Sequence, residues 1–203
     1  MTSETTSTAS TRVGGWLFRH RSWLPLPIAA LLLLAPASTG SRWFPVVGLT
    51  LVAVGESIRL WAVRHIGVIS RTRSDRLGPL VANGPFRYLR NPLYLGNILL
   101  WLGFALSARL PWLVPICVVV LASQYHAIVC WEEALLASRL GQPYLDYVAR
   151  VPCWLPRWPT HAAEGRAVAV HSWGHTLFSE RATLVAIMLG YVLLTLKHAW
   201  SGH

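Results

Sequence analysis

Charge is scarce in this chain. Of its 203 residues only 13% are Asp, Glu, Lys or Arg, about half the share a soluble domain carries. Acidic residues are scarcer still, with 8 against 18 basic ones. No soluble module is present to carry that basic excess, so nucleic acid is not an expected partner. Cysteine is limited to Cys117, Cys130 and Cys153. Their odd number and scattered spacing exclude a disulfide framework and a cysteine metal site, so they are read as reduced packing residues. No G-x-G-x-x-G follows a strand and no Walker A motif occurs, which removes the soluble nucleotide-binding folds.

What is present is apolar. Hydrophobic residues make up 54% of the chain and the mean hydropathy is +0.44. Eleven tryptophans cluster at the ends of apolar runs, as in an interfacial belt. The class this predicts is an all-α integral membrane protein with about five transmembrane helices, among them a helical hairpin.

The Ser/Thr-rich residues 1–20 are expected to form a disordered tail. Residues 21–63 hold the first two spans. The first, roughly 23–37, is short and also resembles a signal-peptide core; an uncleaved span is favoured, because further spans follow. The second, 43–63, contains Glu56 and Arg59 at i, i+3, which places them on one helix face as an ion pair. A polar, basic loop follows. Residues 93–109 and 111–131 then form the hairpin, with Pro111 suited to the first turn of its second helix. That helix runs on as "WEEALLASRL" and is expected to stop at Gly141. Residues 64–160 thus form a core unit. Residues 161–203 add a polar segment and a last span, 182–200.

The basic residues divide by side. One set of connecting segments holds Arg12, Arg19, Arg21, Arg64, Arg71, Arg73, Arg76, Arg87, Arg90, Arg139, Arg150, Arg157, Arg166 and Arg181; the other holds Arg42, Arg109 and Lys197. The positive-inside rule then puts the N-terminus in the cytoplasm and the C-terminus outside, in a bacterial-type inner membrane. The segments "GPFRYLRNPLYLGN" (84–97) and "EEALLASRLGQPYLDYVARVPCWLPR" (132–157) fall on the same, cytoplasmic face.

These two segments carry the chemistry. Arg87 and Arg90 can clamp a carboxylate or phosphate. Pro85 and Pro92 stiffen the loop, while Gly84 and Gly96 permit close approach. Asn91 and Asn97 donate and accept hydrogen bonds. Glu132 and Glu133 can accept from hydroxyls or an ammonium. Tyr88, Tyr94, Tyr144 and Tyr147 offer rings that stack on a base or face a cation.

The two blocks, in order and bracketing a hairpin, resemble the isoprenylcysteine carboxyl methyltransferase and phosphatidylethanolamine N-methyltransferase family. The resemblance covers about residues 82–157. It implies a membrane enzyme that uses S-adenosylmethionine, with the cofactor pocket at the cytoplasmic face. The family's Arg-His-Pro-x-Tyr motif maps onto Arg90, Asn91, Pro92 and Tyr94. Its acidic pair maps onto Glu132 and Glu133, and its F-G-x-x-Y-x-x-Y segment onto Leu140, Gly141, Tyr144 and Tyr147. The residues expected to contact the cofactor are Arg87, Tyr88, Arg90, Asn91, Pro92, Tyr94, Gly96, Asn97, Glu132, Glu133, Tyr144 and Tyr147. Those expected nearest the reaction are Arg90, Asn91, Glu133 and Arg150. Asn91 departs from the pattern: it keeps a hydrogen bond where the family has His, but it cannot titrate, which puts proton transfer there in doubt.

Methyl transfer is an in-line displacement, and positioning can supply about 7–11 kcal/mol of it. A carboxylate acceptor needs no base, whereas an amine does. The acceptor is therefore expected to be lipidic or hydrophobic, with an isoprenylcysteine-like carboxylate favoured and a phospholipid amine the second choice. Two rival readings remain: a sterol- or isoprenoid-reductase-like enzyme using reduced nicotinamide, and a non-catalytic membrane scaffold. His126, with Gln124 and Ser123, lies within a span as a polar cluster. His171 and His175 have a helical metal-ligand spacing, but lack an obvious third ligand, so no metal is expected.

Overall fold

The computed structural model describes residues 9–21, 23–38, 41–66, 80–158 and 170–201. They form seven α-helices: α1 (Ala9–His20), α2 (Leu26–Leu34), α3 (Phe44–Ile66), α4 (Pro92–Ser107), α5 (Leu113–Leu140), α6 (Gln142–Arg150) and α7 (Trp173–Ser201). A single 3-10 turn spans Gly84–Arg87, and no strand occurs among the described residues. Arg71, Arg73, Arg76 and Arg166, counted for orientation, lie outside the described residues.

Three helices are long and apolar enough to cross a membrane: Phe44–Ile66, Leu113–Leu140 and Trp173–Trp200; Pro92–Ser107 is a shorter apolar helix. The expected first span is broken. α2 has only nine residues, about 14 Å of helix, too short to cross alone; Pro25 and Pro27 mark its start, and Ala35, which precedes Pro36, is extended and ends it. The expected disordered tail is in part a helix as well. Gly14 and Gly15 of α1 lie flush against Ala127 and Trp131 of α5, and the Phe18 ring sits 4.9 Å from that of Trp131. Polar composition suggested a free tail, but the glycines let this short helix dock closely.

α3 and α4 are antiparallel and joined by glycine. Gly48 and Gly55 on α3 face Gly103 and Gly96 on α4. A Cβ at Gly55 would lie 2.8 Å from the Gly96 carbonyl oxygen, and one at Gly103 would lie 2.6 Å from that of Gly48. Without a hydrophobic force between helices in lipid, small residues that let backbones meet supply the packing.

The α4–α5 hairpin forms as expected. Its turn carries Arg109 at φ 57°, and Pro111 lies in the turn itself, with α5 starting at Leu113. The main apolar cluster sits near this end and includes Ile28, Leu32, Leu110, Leu113, Leu121 and Leu194. α5 has 28 residues, about 42 Å against a hydrocarbon core of about 30 Å, so its last turns extend past the membrane. Gly141, at φ 62°, ends it as expected and turns the chain into α6. At the opposite end of the bundle from the hairpin turn, the start of α4, the end of α5, α6 and residues 151–158 meet. The end of α3 lies there too, with Trp61 beside Tyr88, and it holds the segment before α7, where His171 N donates to the Arg64 carbonyl at 2.9 Å.

Candidate active site

Gly84 begins the 3-10 turn at φ 60° with its Cα against the His65 ring. Only glycine tolerates both demands. The turn delivers Arg87 and then Arg90, whose backbone N–H donates to the Pro152 carbonyl at 2.9 Å. Pro92 opens α4 and is fully buried.

Arg90 and Glu133 form a two-point pair. Arg90 Nε lies 2.9 Å from Glu133 Oε1, and Nη2 donates to Oε2 at 3.3 Å. Nη1 donates to the Val148 carbonyl at 3.0 Å. The guanidinium therefore ties α4's entry to α5 and α6 in one plane, as its fork geometry allows. Beside it, Tyr94 OH donates to Glu132 Oε2 at 3.0 Å. The two adjacent acids are thus engaged by different partners.

Asn91 Nδ2 donates to the Cys153 carbonyl at 3.3 Å and approaches Cys153 Sγ at 3.4 Å. That thiol donates in turn toward Glu133 Oε1 at 3.9 Å. Burial raises the Cys153 pKa above its ordinary value, and Arg90 opposes the shift, so the thiol keeps its proton at neutral pH. Tyr147 OH donates to the Phe86 carbonyl at 2.8 Å. Tyr144 and Tyr147 are both buried, and desolvation raises both phenols. The Tyr88 ring lies 5.9 Å from Trp61 and 5.6 Å from Trp158. Arg87 sets its guanidinium 5.6 Å from the Tyr88 ring, and its buried Nε has no hydrogen-bond partner among the described residues.

The sequence signature of the phospholipid methyltransferase family matches residues 43–142. This segment has the pattern of that family. The nickel-cobalt-cadmium resistance protein NccN of Alcaligenes xylosoxydans xylosoxydans is 28% identical over 160 residues, covering 73% of this chain and 70% of that one. The protein-S-isoprenylcysteine O-methyltransferase of Mus musculus is 31% identical over 128 residues, 56% of this chain and 42% of that one. Its Homo sapiens counterpart is 29% identical, over 66% of this chain and 48% of that one. The chain therefore spans less than half the length of these two isoprenylcysteine relatives. No solved structure matches.

The family implies S-adenosylmethionine as methyl donor, and the residues present fit such a group. Arg87 offers a buried, unpartnered N–H for a carboxylate, Glu132 and Glu133 offer acceptors, and Tyr88 offers an aromatic face. Among the described residues no cluster of three or more His, Cys, Asp or Glu could hold a metal. His171 and His175 stack on each other at 4.9 Å, and His126 lies 3.7 Å from the Cys130 sulfur.

Most predicted site residues converge: Arg87, Tyr88, Arg90, Asn91, Pro92, Tyr94, Glu132, Glu133, Tyr144 and Tyr147 all lie at this end. Three are placed otherwise. Gly96 faces Gly55 and the stem of Arg59 and serves helix packing. The Asn97 side-chain oxygen accepts from Arg59. Arg150 is on the exposed side of α6, where its Nε donates to the Asp146 carbonyl at 3.1 Å. Cys153, expected only to pack, contacts Asn91 and Glu133; its place in "RVPCWLP", inside the second of the two blocks, is the signal in the sequence.

Proposed function

We propose that this protein transfers a methyl group from S-adenosylmethionine to a lipidic or hydrophobic acceptor at the cytoplasmic face of the membrane, with an isoprenylcysteine-like carboxylate favoured. The observation that carries the reading is the Arg90–Glu133 pair with Tyr94–Glu132 beside it, built from two sequence blocks that meet only in the fold. When bound, the cofactor supplies an electrophilic methyl on a sulfonium. The chain's part is to orient and to exclude water. Arg87 binds the cofactor carboxylate, Glu132 and Glu133 accept its donors, and Tyr88 covers its base. Arg90 keeps Glu133 in place through the two-point contact. Neither Asn91, which does not titrate, nor Cys153, which stays protonated, supplies a base at position 91, and the nearby carboxylates Glu133 and Glu132 are engaged by Arg90 and Tyr94. That favours an acceptor already ionised at neutral pH over an amine that must lose a proton. A phospholipid amine is the second reading, supported by the family signature.

Calorimetric titration of the detergent-solubilised protein with S-adenosylhomocysteine tests the cofactor. Saturable binding is expected; heat with reduced nicotinamide dinucleotide phosphate instead would overturn the reading. N-acetyl-S-farnesylcysteine and phosphatidylethanolamine, each supplied with labelled S-adenosylmethionine, then separate the acceptors, and label in the first is expected. Tyr94→Phe removes one hydrogen bond to a carboxylate, worth about 1.5–3 kcal/mol. The melting temperature is expected to fall by a few degrees, and S-adenosylhomocysteine affinity at least about tenfold, because Glu132 loses the partner that orients it.

A further inference from the structure

A second charged group lies within the helix core, apart from Arg90 and Glu133. Arg59 sits on α3, and its side chain is 11% exposed; that of Glu180 on α7 is 1% exposed. Arg59 Nε donates to Glu56 Oε2 at 3.2 Å. Nη2 donates to Glu180 Oε2 at 2.6 Å and to Thr183 Oγ1 at 3.2 Å. Nη1 donates to Asn97 Oδ1 on α4. One guanidinium thus grips α3, α4 and α7. Glu180 and Thr183 lie outside the region that the family signature matches.

The group is connected to the site. Asn97 lies one turn along α4 from Tyr94, on the same helix face, and Tyr125 on α5 is close enough to feel both Asn97 and Arg59. The Tyr125 ring stacks on Tyr94 with centroids 4.8 Å apart, and Tyr94 donates to Glu132. Arg59 thus reaches from Glu180 to Asn97, and Tyr94, one turn from Asn97 on the same face of α4, reaches on to Glu132.

Stability alone is a weak reason for such a group, because apolar replacements of buried ion pairs are often as stable or more so. Its distinctive property is directional: five N–H donors in a rigid plane hold three helices in one arrangement. We infer that Arg59 is a positioning residue for methyl transfer, which uses Glu180 and Asn97 to hold Tyr94 and Glu132 in the geometry that binds the cofactor. The C-terminal helix is then part of the catalytic unit. The inference rests on the methyltransferase reading above.

Two full-length variants test it, with S-adenosylhomocysteine as the calorimetric probe and thermal melting as the check on folding. The first replaces the charges together: Glu56→Leu, Arg59→Met and Glu180→Leu. The second, Asn97→Leu, leaves the charges paired and cuts the link from Arg59 to the face of α4 that carries Tyr94. Both are expected to melt cooperatively, Asn97→Leu a few degrees below the parent because Arg59 Nη1 loses its acceptor, and to bind S-adenosylhomocysteine at least about tenfold more weakly. Arg59→Lys, which keeps the charge without the planar fork, is expected to fall between. Parental affinity in a folded Asn97→Leu protein overturns the inference, whether or not the triple variant folds. If the parent itself does not bind, the methyltransferase reading fails first and the positioning role fails with it.

Discussion

Arg90→Ala is expected to raise the S-adenosylhomocysteine Kd at least about a hundredfold, in a protein that still melts cooperatively. The side chains of Arg90 and Glu133 are 12% and 25% exposed. Removing one partner of a buried pair costs about 3–5 kcal/mol, and the partial exposure here reduces that toward the lower bound. The loss falls on the site because Arg90 does three things at once. It pairs with Glu133, binds the Val148 carbonyl and anchors the loop through its backbone to Pro152. The backbone bond survives truncation, so the fold should persist while Glu133 loses its orientation. Arg90→Lys restores the charge but offers a single point contact in place of the fork. It is expected to recover only part of the affinity. Equal binding by the lysine variant and the parent would show that charge alone suffices, and the two-point geometry would lose its meaning.

The architecture was legible because membrane helices announce themselves. Long apolar runs predicted α3, α5 and α7, and the short link at 108–112 predicted the hairpin. Gly141 marked the end of α5 because a positive φ favours glycine. Local signals failed where docking decided the outcome. Residues 9–20 look like a polar tail until α5 offers a surface for Gly14 and Gly15. The first apolar run looked like a span, but its helix starts only after Pro25 and stops at Leu34, before Pro36.

The site was legible for a different reason. Its residues lie in two short blocks, and charge asymmetry brought those blocks to one membrane face. Long-range partners were invisible. Glu56 and Arg59, three residues apart, were paired from sequence, and they do pair. Glu180, 121 positions away, carries no local mark of its role. Gly96 is expected at the cofactor because it permits close approach, and Asn97 because it donates and accepts. In the fold Gly96 meets Gly55 and the Arg59 stem, and Asn97 accepts from Arg59, partners that sit on α3, far from both in sequence.

Gly103→Ala is expected to lower the melting temperature and to weaken cofactor binding together. The added Cβ would lie 2.6 Å from the Gly48 carbonyl oxygen, 2.6 Å from Val52 Cγ2 and 2.9 Å from the Val52 nitrogen. Two of these atoms are backbone, so α3 must move as a body. Overpacking of this kind costs about 1–3 kcal/mol, which outweighs the gain of up to about 1 kcal/mol from alanine's helix propensity. Gly174, in the first turn of α7, is the matched control, since a Cβ there meets nothing within 4 Å. Gly174→Ala is expected to raise the melting temperature slightly, by about 0.4–1 kcal/mol of stability, and to leave binding unchanged. The coupling to binding follows from Arg59: displacing α3 displaces the guanidinium that reaches Asn97 and Glu180. Thermal melting and S-adenosylhomocysteine titration of both variants check this. Shifts of the same sign in the two would mean that helix propensity, not the close approach of α3 and α4, governs these glycines.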